Sequence, residues 1–324
     1  MGWFMGKDAD FSWKNTYAKP DFSGRRFCDA RVWSFFRHFD KGFDRYLPWA
    51  LGKDKDAEDM PLWIVPDHKV SVQEVQACMR DHYEGTPLAT DTLDMGGGIW
   101  QMPYRPTPLS FKVDGKQCFN ERPTSTQQSG FVYVSQMRSW LPREIGGVLW
   151  FGNDDANMVA FTPVYCSSTI QPECYNTPGA DAVTFSDKNA YWVCNMTSNM
   201  VYPRYSQLFP SLKEVRDSLD NSYFAAQKEV EAKAQELYAQ NPQQAVKYLN
   251  DYGIEKAQQM LTRWKQLFQF MVVKYNDMII KPTDKDGNFV RTKEGLGARP
   301  VRPGYPEKYA KELIKQTGDK FVEK

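Results

Sequence analysis

The chain has 324 residues, and its 41 Lys and Arg against 40 Asp and Glu leave a formal charge of +1, so no global field draws it to nucleic acid or an anionic membrane. No apolar run approaches the roughly 18 residues of a membrane span. Residues 1–8 show neither the basic nor the apolar segment of a leader, which leaves the compartment open.

The size suffices for an ample core without staples. Aromatics at 15%, with 10 Trp, fit a large mixed core or a surface that grips peptides or sugars. Residues 1–30 mix aromatics with turn formers and open on Trp3, Phe4 and Phe11 as if from the middle of a folded unit, so a fragment is expected. The run 27–36, FCDARVWSFF, is apolar except for Asp29 and Arg31; an arginine there packs its stem with its head in water, or serves a site. Residues 52–59 form a charged, solvent-facing loop.

Ser71 opens a predicted helix: Glu74 completes a capping box, Val72, Val75 and Met79 share a face, and Gly85 stands where the helix would stop. The loop 91–108 carries Gly96, Gly97 and Gly98 but lacks the Gly-Lys-Ser/Thr ending of a phosphate cradle, and it reads as flexible connection. Alternation around Asp114-Gly115 predicts a hairpin over 111–119. Three runs rich in Val, Phe and Tyr (130–137, 147–152 and 158–165) predict core strands, with 153–156, Asn-Asp-Asp-Ala, as a short hairpin connection. The polar run 120–128 leads into the first of them, the kind of entry where sites occur.

Residues 183–185 read as more strand, and 190–205 fit strand and helix equally. From Ser211 the pattern turns helical, Asn241-Pro242 breaks it, and Ile254, Ala257, Leu261, Trp264, Phe268, Met271 and Tyr275 then form an apolar stripe at helical spacing. Residues 282–324 return to Gly, Pro and charge and are expected to lie extended over the surface.

Metal chemistry finds no support: His38, His68 and His82 lack paired ligand spacing, and no CxxC pair exists among the six cysteines. No cofactor is implied. The sequence from Asp284 starts like a calcium loop, but Gly295 stands where the loop needs a bidentate Glu. No nucleophile elbow or dinucleotide fingerprint occurs. Cys166 and Cys174 flank a short loop and form a disulfide if the protein is exported; otherwise all six thiols are reduced.

Taken together, GKDADFSW (6–13), DFSGRRFCDARVWSFF (21–36), MRDHYEGTPL (79–88), NERPTSTQQSGFVYVSQMRSWLP (120–142), GGVLWFGNDDAN (146–157) and PGYPEKY (303–309) resemble the dipeptidase family of N-terminal-nucleophile (Ntn) cysteine hydrolases. Its relatives include penicillin V acylase, bile salt hydrolase and the secernins. The resemblance implies an α+β fold, part of a four-layer αββα sandwich over residues 1–210; the helical run at 211–281 is then expected as an appendage packed on it, and 282–324 as an extended tail. It also implies hydrolysis of a dipeptide substrate by a cysteine at the mature N-terminus, whose free amine accepts the proton.

That cysteine has no match here, so the resemblance implies a C-terminal part that is inactive without the missing N-terminal half. Arg31 is the best match to the arginine beside the nucleophile, with Arg26 second; such a guanidinium holds a carboxylate bidentately or steadies developing charge. Arg122, Thr126 and Gln128 are weaker candidates to line the substrate pocket, and Asn153 is explained by a turn alone. The alternative is a non-catalytic β-sandwich that binds peptides or sugars. A homo-oligomer is left open.

Overall fold

The computed structural model describes residues 4–18, 21–91 and 100–323. Trp3 and, within the connection expected over 91–108, residues 92–99 with the glycines at 96–98 lie outside them. The architecture is α+β: a three-stranded antiparallel sheet, a separate hairpin and two long C-terminal helices. The hairpin pairs β1 (Ser110–Val113) with β2 (Lys116–Phe119) across Asp114-Gly115. Both turn residues are left-handed, φ 49° and 76°, the conformation that Asp-Gly supplies at least cost and that matches strand twist.

The sheet has the order β3 (Phe131–Met137), β4 (Gly147–Asn153), β5 (Thr162–Tyr165). Register sets Val134 opposite Trp150 and Trp150 opposite Pro163, so Val132, Val134, Val148, Trp150 and Tyr165 share one face. All five are buried. Gly152 belongs to the same row because a Cβ there would meet Val159 at 2.7 Å.

Ahead of the sheet, a π-turn over Arg25–Asp29 runs into α1 (Ala30–Arg37), so the apolar run with its internal charges is a helix. Helix α2 (Val72–Met79) starts on the expected capping box, with both Ser71–Glu74 bonds formed. It ends at Arg80 and not at Gly85. Arg80 is pulled away from the helix axis to donate to the Ala156 and Val159 carbonyls (both 3.1 Å) and to Asp220 at 2.6 Å.

Residues 190–205 resolve as helix α3 (Ala190–Val201), whose Asn189 cap accepts from the Trp192 amide. Residues 183–185 are no strand: only an Asp181–Thr184 bridge forms, and Val183 is 91% exposed. Helix α4 (Tyr205–Gln240) begins six residues before Ser211, so the expected boundary at 210 cuts through it. It pairs with α5 (Pro242–Tyr275), capped by Asn241.

The stripe on α5 is real. Ala257, Leu261, Trp264, Met271 and Tyr275 are buried, and Ile254 and Phe268 are half-buried. Trp264, Met260 and Ala257 join Val134, Trp150 and Tyr165 in one apolar cluster with Leu219 and Tyr223 of α4. These helices are therefore the cover of the sheet, sharing its core. The tail is mostly exposed, but it is not wholly extended: α6 (Glu307–Thr317) lies within it. No helix is long and apolar enough to cross a membrane among the described residues.

Candidate functional site

Two of the arginines singled out in the sequence, and the backbone of a third, meet at the turn after α2. Arg26 lies on the π-turn, where it pairs with Glu121 and donates to the Leu51 carbonyl at 3.3 Å. Arg31 follows on α1, its Nε donating to the Phe27 carbonyl at 2.8 Å. Tyr83, within reach of both charges, is 1% exposed, with a left-handed backbone (φ 66°). Burial pushes its phenol up, while the charges of Arg31 and Arg26 pull it back. Its hydroxyl donates to the Arg122 carbonyl at 2.8 Å. Among the described residues, the exposed guanidinium of Arg122 makes no hydrogen bond or ion pair.

The segment 122–125 is held at successive points. After Tyr83 takes the Arg122 carbonyl, the Ser125 amide donates to the Asp81 carbonyl at 3.1 Å, and Ser125 Oγ donates to Asp155. Asp81 itself accepts from Ser34 at 2.6 Å and faces His38 at 3.7 Å. Burial works to raise its carboxyl, but the bonds from His38 and Ser34 prevail and hold it below the ordinary range.

Asp155 belongs to a carboxylate pair that the sequence does not reveal. The expected short hairpin at 153–156 is a longer connection, because β5 resumes pairing only at Thr162. Asp154 and Asp155 are fully buried within it. Asp154 accepts from Ser198 at 2.7 Å and Asn195 at 3.1 Å, and Asp155 from Tyr202 at 3.4 Å.

Desolvation raises Asp154 to about 7, with the neighbouring Asp155 charge adding to it. Helix α4 pins the rest of the loop: Arg216 grips Asn157 at 2.7 and 2.8 Å, and Asp220 accepts from the Phe161 amide at 2.9 Å. Asn153, assigned to a turn, is the last residue of β4, with a buried Oδ1 that has no hydrogen-bond partner among the described residues.

Thr126 and Gln128 do not join the arginines. Thr126 bonds its neighbour Gln127 at 3.2 Å, and Gln128 is exposed. Cys166 and Cys174 form no disulfide; Cys166 is exposed beside Gly147, and Cys174 is buried near Tyr175 and Cys194. Burial raises both thiols, Cys174 to about 11, which disfavours the thiolate that exchange requires. No group of His, Cys, Asp or Glu could hold a metal among the described residues.

Tyr83, Glu121 and Ser125 escaped the reading of the sequence. The signal for Ser125 was faint: a small polar residue after a proline in the polar strand entry. Tyr83 gave none, because its role depends on α1 lying across it.

An α+β frame that sets arginines around a buried phenol is suited to holding a carboxylate. Comparison with known proteins places the frame: the chain belongs to peptidase family C69, whose model matches residues 2–218. It is 23% identical to a probable dipeptidase of Latilactobacillus sakei over 82% of this chain and 51% of that protein. It is also 20% identical to dipeptidase A of Lactobacillus helveticus (59% and 34%) and 24% identical to a probable dipeptidase of Salmonella dublin (59% and 39%). The chain thus spans about half the length of these relatives or less.

Proposed function

We propose that this chain is the substrate-anchoring part of a cysteine-type dipeptidase, completed by a segment outside it that carries the nucleophile. The observation that carries the reading is the placing of the Arg26 and Arg31 charges and the Arg122 backbone around the buried Tyr83, within the region that matches the C69 model. In this reading the sheet and its two long helices are one half of an αββα sandwich, and the completing segment brings the second sheet with an N-terminal cysteine.

The chemistry follows from that placement. The cysteine thiol adds to the peptide carbonyl and its own α-amine takes the proton; the amine then protonates the departing amino group, and water releases the acyl-enzyme. An α-amine titrates near ~8, close to working pH. Arg31 holds the substrate carboxylate or steadies developing charge. Thr126 and Gln128 line the approach outside the arginine cluster, and in an exported form Cys166 and Cys174 join after a rearrangement of their loop.

The test pairs the purified chain with its separately expressed upstream segment and assays a panel of dipeptides. Turnover that needs both parts is expected. Thiol-sensitive turnover by the lone chain would overturn the placement of the nucleophile. In the complete enzyme, Arg31→Lys keeps the charge and loses the fork; kcat/KM should fall at least about tenfold with the melting temperature nearly unchanged. An unaltered kcat/KM would reduce Arg31 to a packed stem.

A further inference from the structure

Three strands bring two sulfur atoms together over a glycine at one end of the sheet. Met137 closes β3 and pairs with Gly147 of β4, and just past β5 the Cys166 amide donates to the Gly147 carbonyl at 2.9 Å. Met137, Gly147 and Cys166 thus form one cross-strand row with the glycine in the middle. A Cβ on Gly147 would stand 3.0 Å from Cys166 Sγ and 3.3 Å from Met137 Sδ, so the two sulfurs, reaching in from the strands on either side, lie no more than about 6.3 Å apart.

The glycine serves room and not conformation. Its backbone is extended (φ −102°, ψ 123°), which any residue adopts, whereas a side chain there would fill the space between the sulfurs. Gly147 is buried, while Met137 and Cys166 are exposed. The row lines a cleft of about 800 Å³ in which no residue of the Tyr83 cluster takes part. Arg138 and Arg143 stand at the same cleft; Arg138 is paired with Glu231 at 2.6 Å, and the exposed Arg143 makes no ion pair among the described residues.

Sulfur chemistry and charge select the ligand. A thiolate and a thioether are soft donors, which favour copper(I) over the harder cations that carboxylates hold. A monovalent ion on one thiolate forms a neutral unit, whereas a divalent ion would keep a charge beside the Arg143 guanidinium. We infer that Met137 and Cys166 form a binding site for a soft monovalent cation of the copper(I) kind. Cys166 Sγ releases its proton to solvent as it bonds the ion, and Met137 Sδ, on a flexible unbranched side chain, closes from the opposite strand. No electron is transferred. One of the two ligands is a thioether, so His, Cys, Asp and Glu alone do not make this site, and it does not depend on the dipeptidase reading.

The test uses the 324-residue chain carrying Cys28→Ser and Cys118→Ser, which leaves Cys166 as its one thiol that is not buried. Anaerobic titration with copper(I), competed by bathocuproine disulfonate, should show one equivalent bound, and X-ray absorption should show two sulfur neighbours. Binding should weaken about tenfold when the pH is lowered from 7.5 to 6.5, because one proton is released per ion. Zinc(II) in tenfold excess should leave the copper in place.

Cys166→Ser in this background should abolish binding. Met137→Leu, an exposed swap of similar volume that leaves the thiol in place, should weaken it at least tenfold. Gly147→Ala sets a methyl between the sulfurs and should weaken it to the same extent; melting curves check that each variant is folded, and where Gly147→Ala is not, Met137→Leu decides alone. Absence of binding by the background protein, an equivalent that survives Cys166→Ser, or displacement of the copper by zinc would overturn the site. So would a Met137→Leu variant that binds as tightly as its parent, which would reduce the row to a thiol that takes metal without a partner.

Discussion

Asp154 shows how far one residue departs from its local sequence signal. In Asn-Asp-Asp-Ala it reads as a solvated turn, and its φ of 86° agrees with a turn. Its burial is set by Ser198 and Asn195, more than forty residues away, and by the sheet end on which α3 packs. Periodicity cannot report such partners. Desolvation lifts its folded pKa to about 7 from an ordinary value of 3.8. Between these two values the unfolded chain has released a proton that the folded chain still holds, so this group makes stability fall as pH rises. The slope is at most about 1.4 kcal/mol per pH unit, exhausted above neutrality and absent below the unfolded pKa. Asp154→Asn removes the ionisation and keeps one of the two acceptor oxygens, so it costs a pH-independent amount and leaves the slope as the readout. Denaturant unfolding of both proteins from pH 4.5 to 8 should show the variant gaining on the parent with rising pH, by a few kcal/mol in total. A pH-independent difference would mean that Asp154 does not titrate in the folded state.

Among the elements, those stabilised by their own residues were legible and those stabilised from elsewhere were not. The Asp-Gly hairpin, the Ser71–Glu74 box and the α5 stripe needed only nearest neighbours in the chain, and all three formed. The start of α4 was missed because Pro210, the sixth residue of the helix, reads from sequence as a stop, yet the helix runs through it. Residues 190–205 were ambiguous because apolar residues occur on every side of α3, which is enclosed by its neighbours; the Asn189 cap was the signal that could have decided it. Val183 shows the converse: β-propensity without a partner strand leaves an exposed bend. The α5 stripe carries the sharpest expectation at this scale. Trp264 is fully buried where the two long helices meet the sheet. Trp264→Asp removes that packing and buries an unpaired charge, and it should cost roughly 4 kcal/mol or more. A thermal melt that overlays the parent would show that α5 contributes no shared core.

For the whole molecule, the question is what the sheet presents on the side turned from its buried row. Phe131, Tyr133 and Met137 alternate along β3 on that side, 61%, 51% and 64% exposed. Phe131 stacks on Tyr133 at 6.4 Å and on Phe151 of β4 at 6.1 Å, which makes the aromatics one continuous patch. Strand β3 is also the outer strand of the sheet, so its far edge has no ladder partner among the described residues. An exposed apolar face beside an open edge drives association. In the proposed enzyme, a second sheet covers this face. In its absence, copies of the chain should associate through it. Phe131→Lys with Met137→Lys sets two like charges on the patch without touching Val132, Val134 or the buried row. Sedimentation velocity across a concentration series should show the parent shifting to larger species and the double variant remaining monomeric. The same variant should fail to restore turnover when mixed with the upstream segment, because a lysine pair cannot be buried there without a counter-charge. A variant that associates like the parent would place the contact elsewhere, and one that still complements fully would separate this face from the completing half.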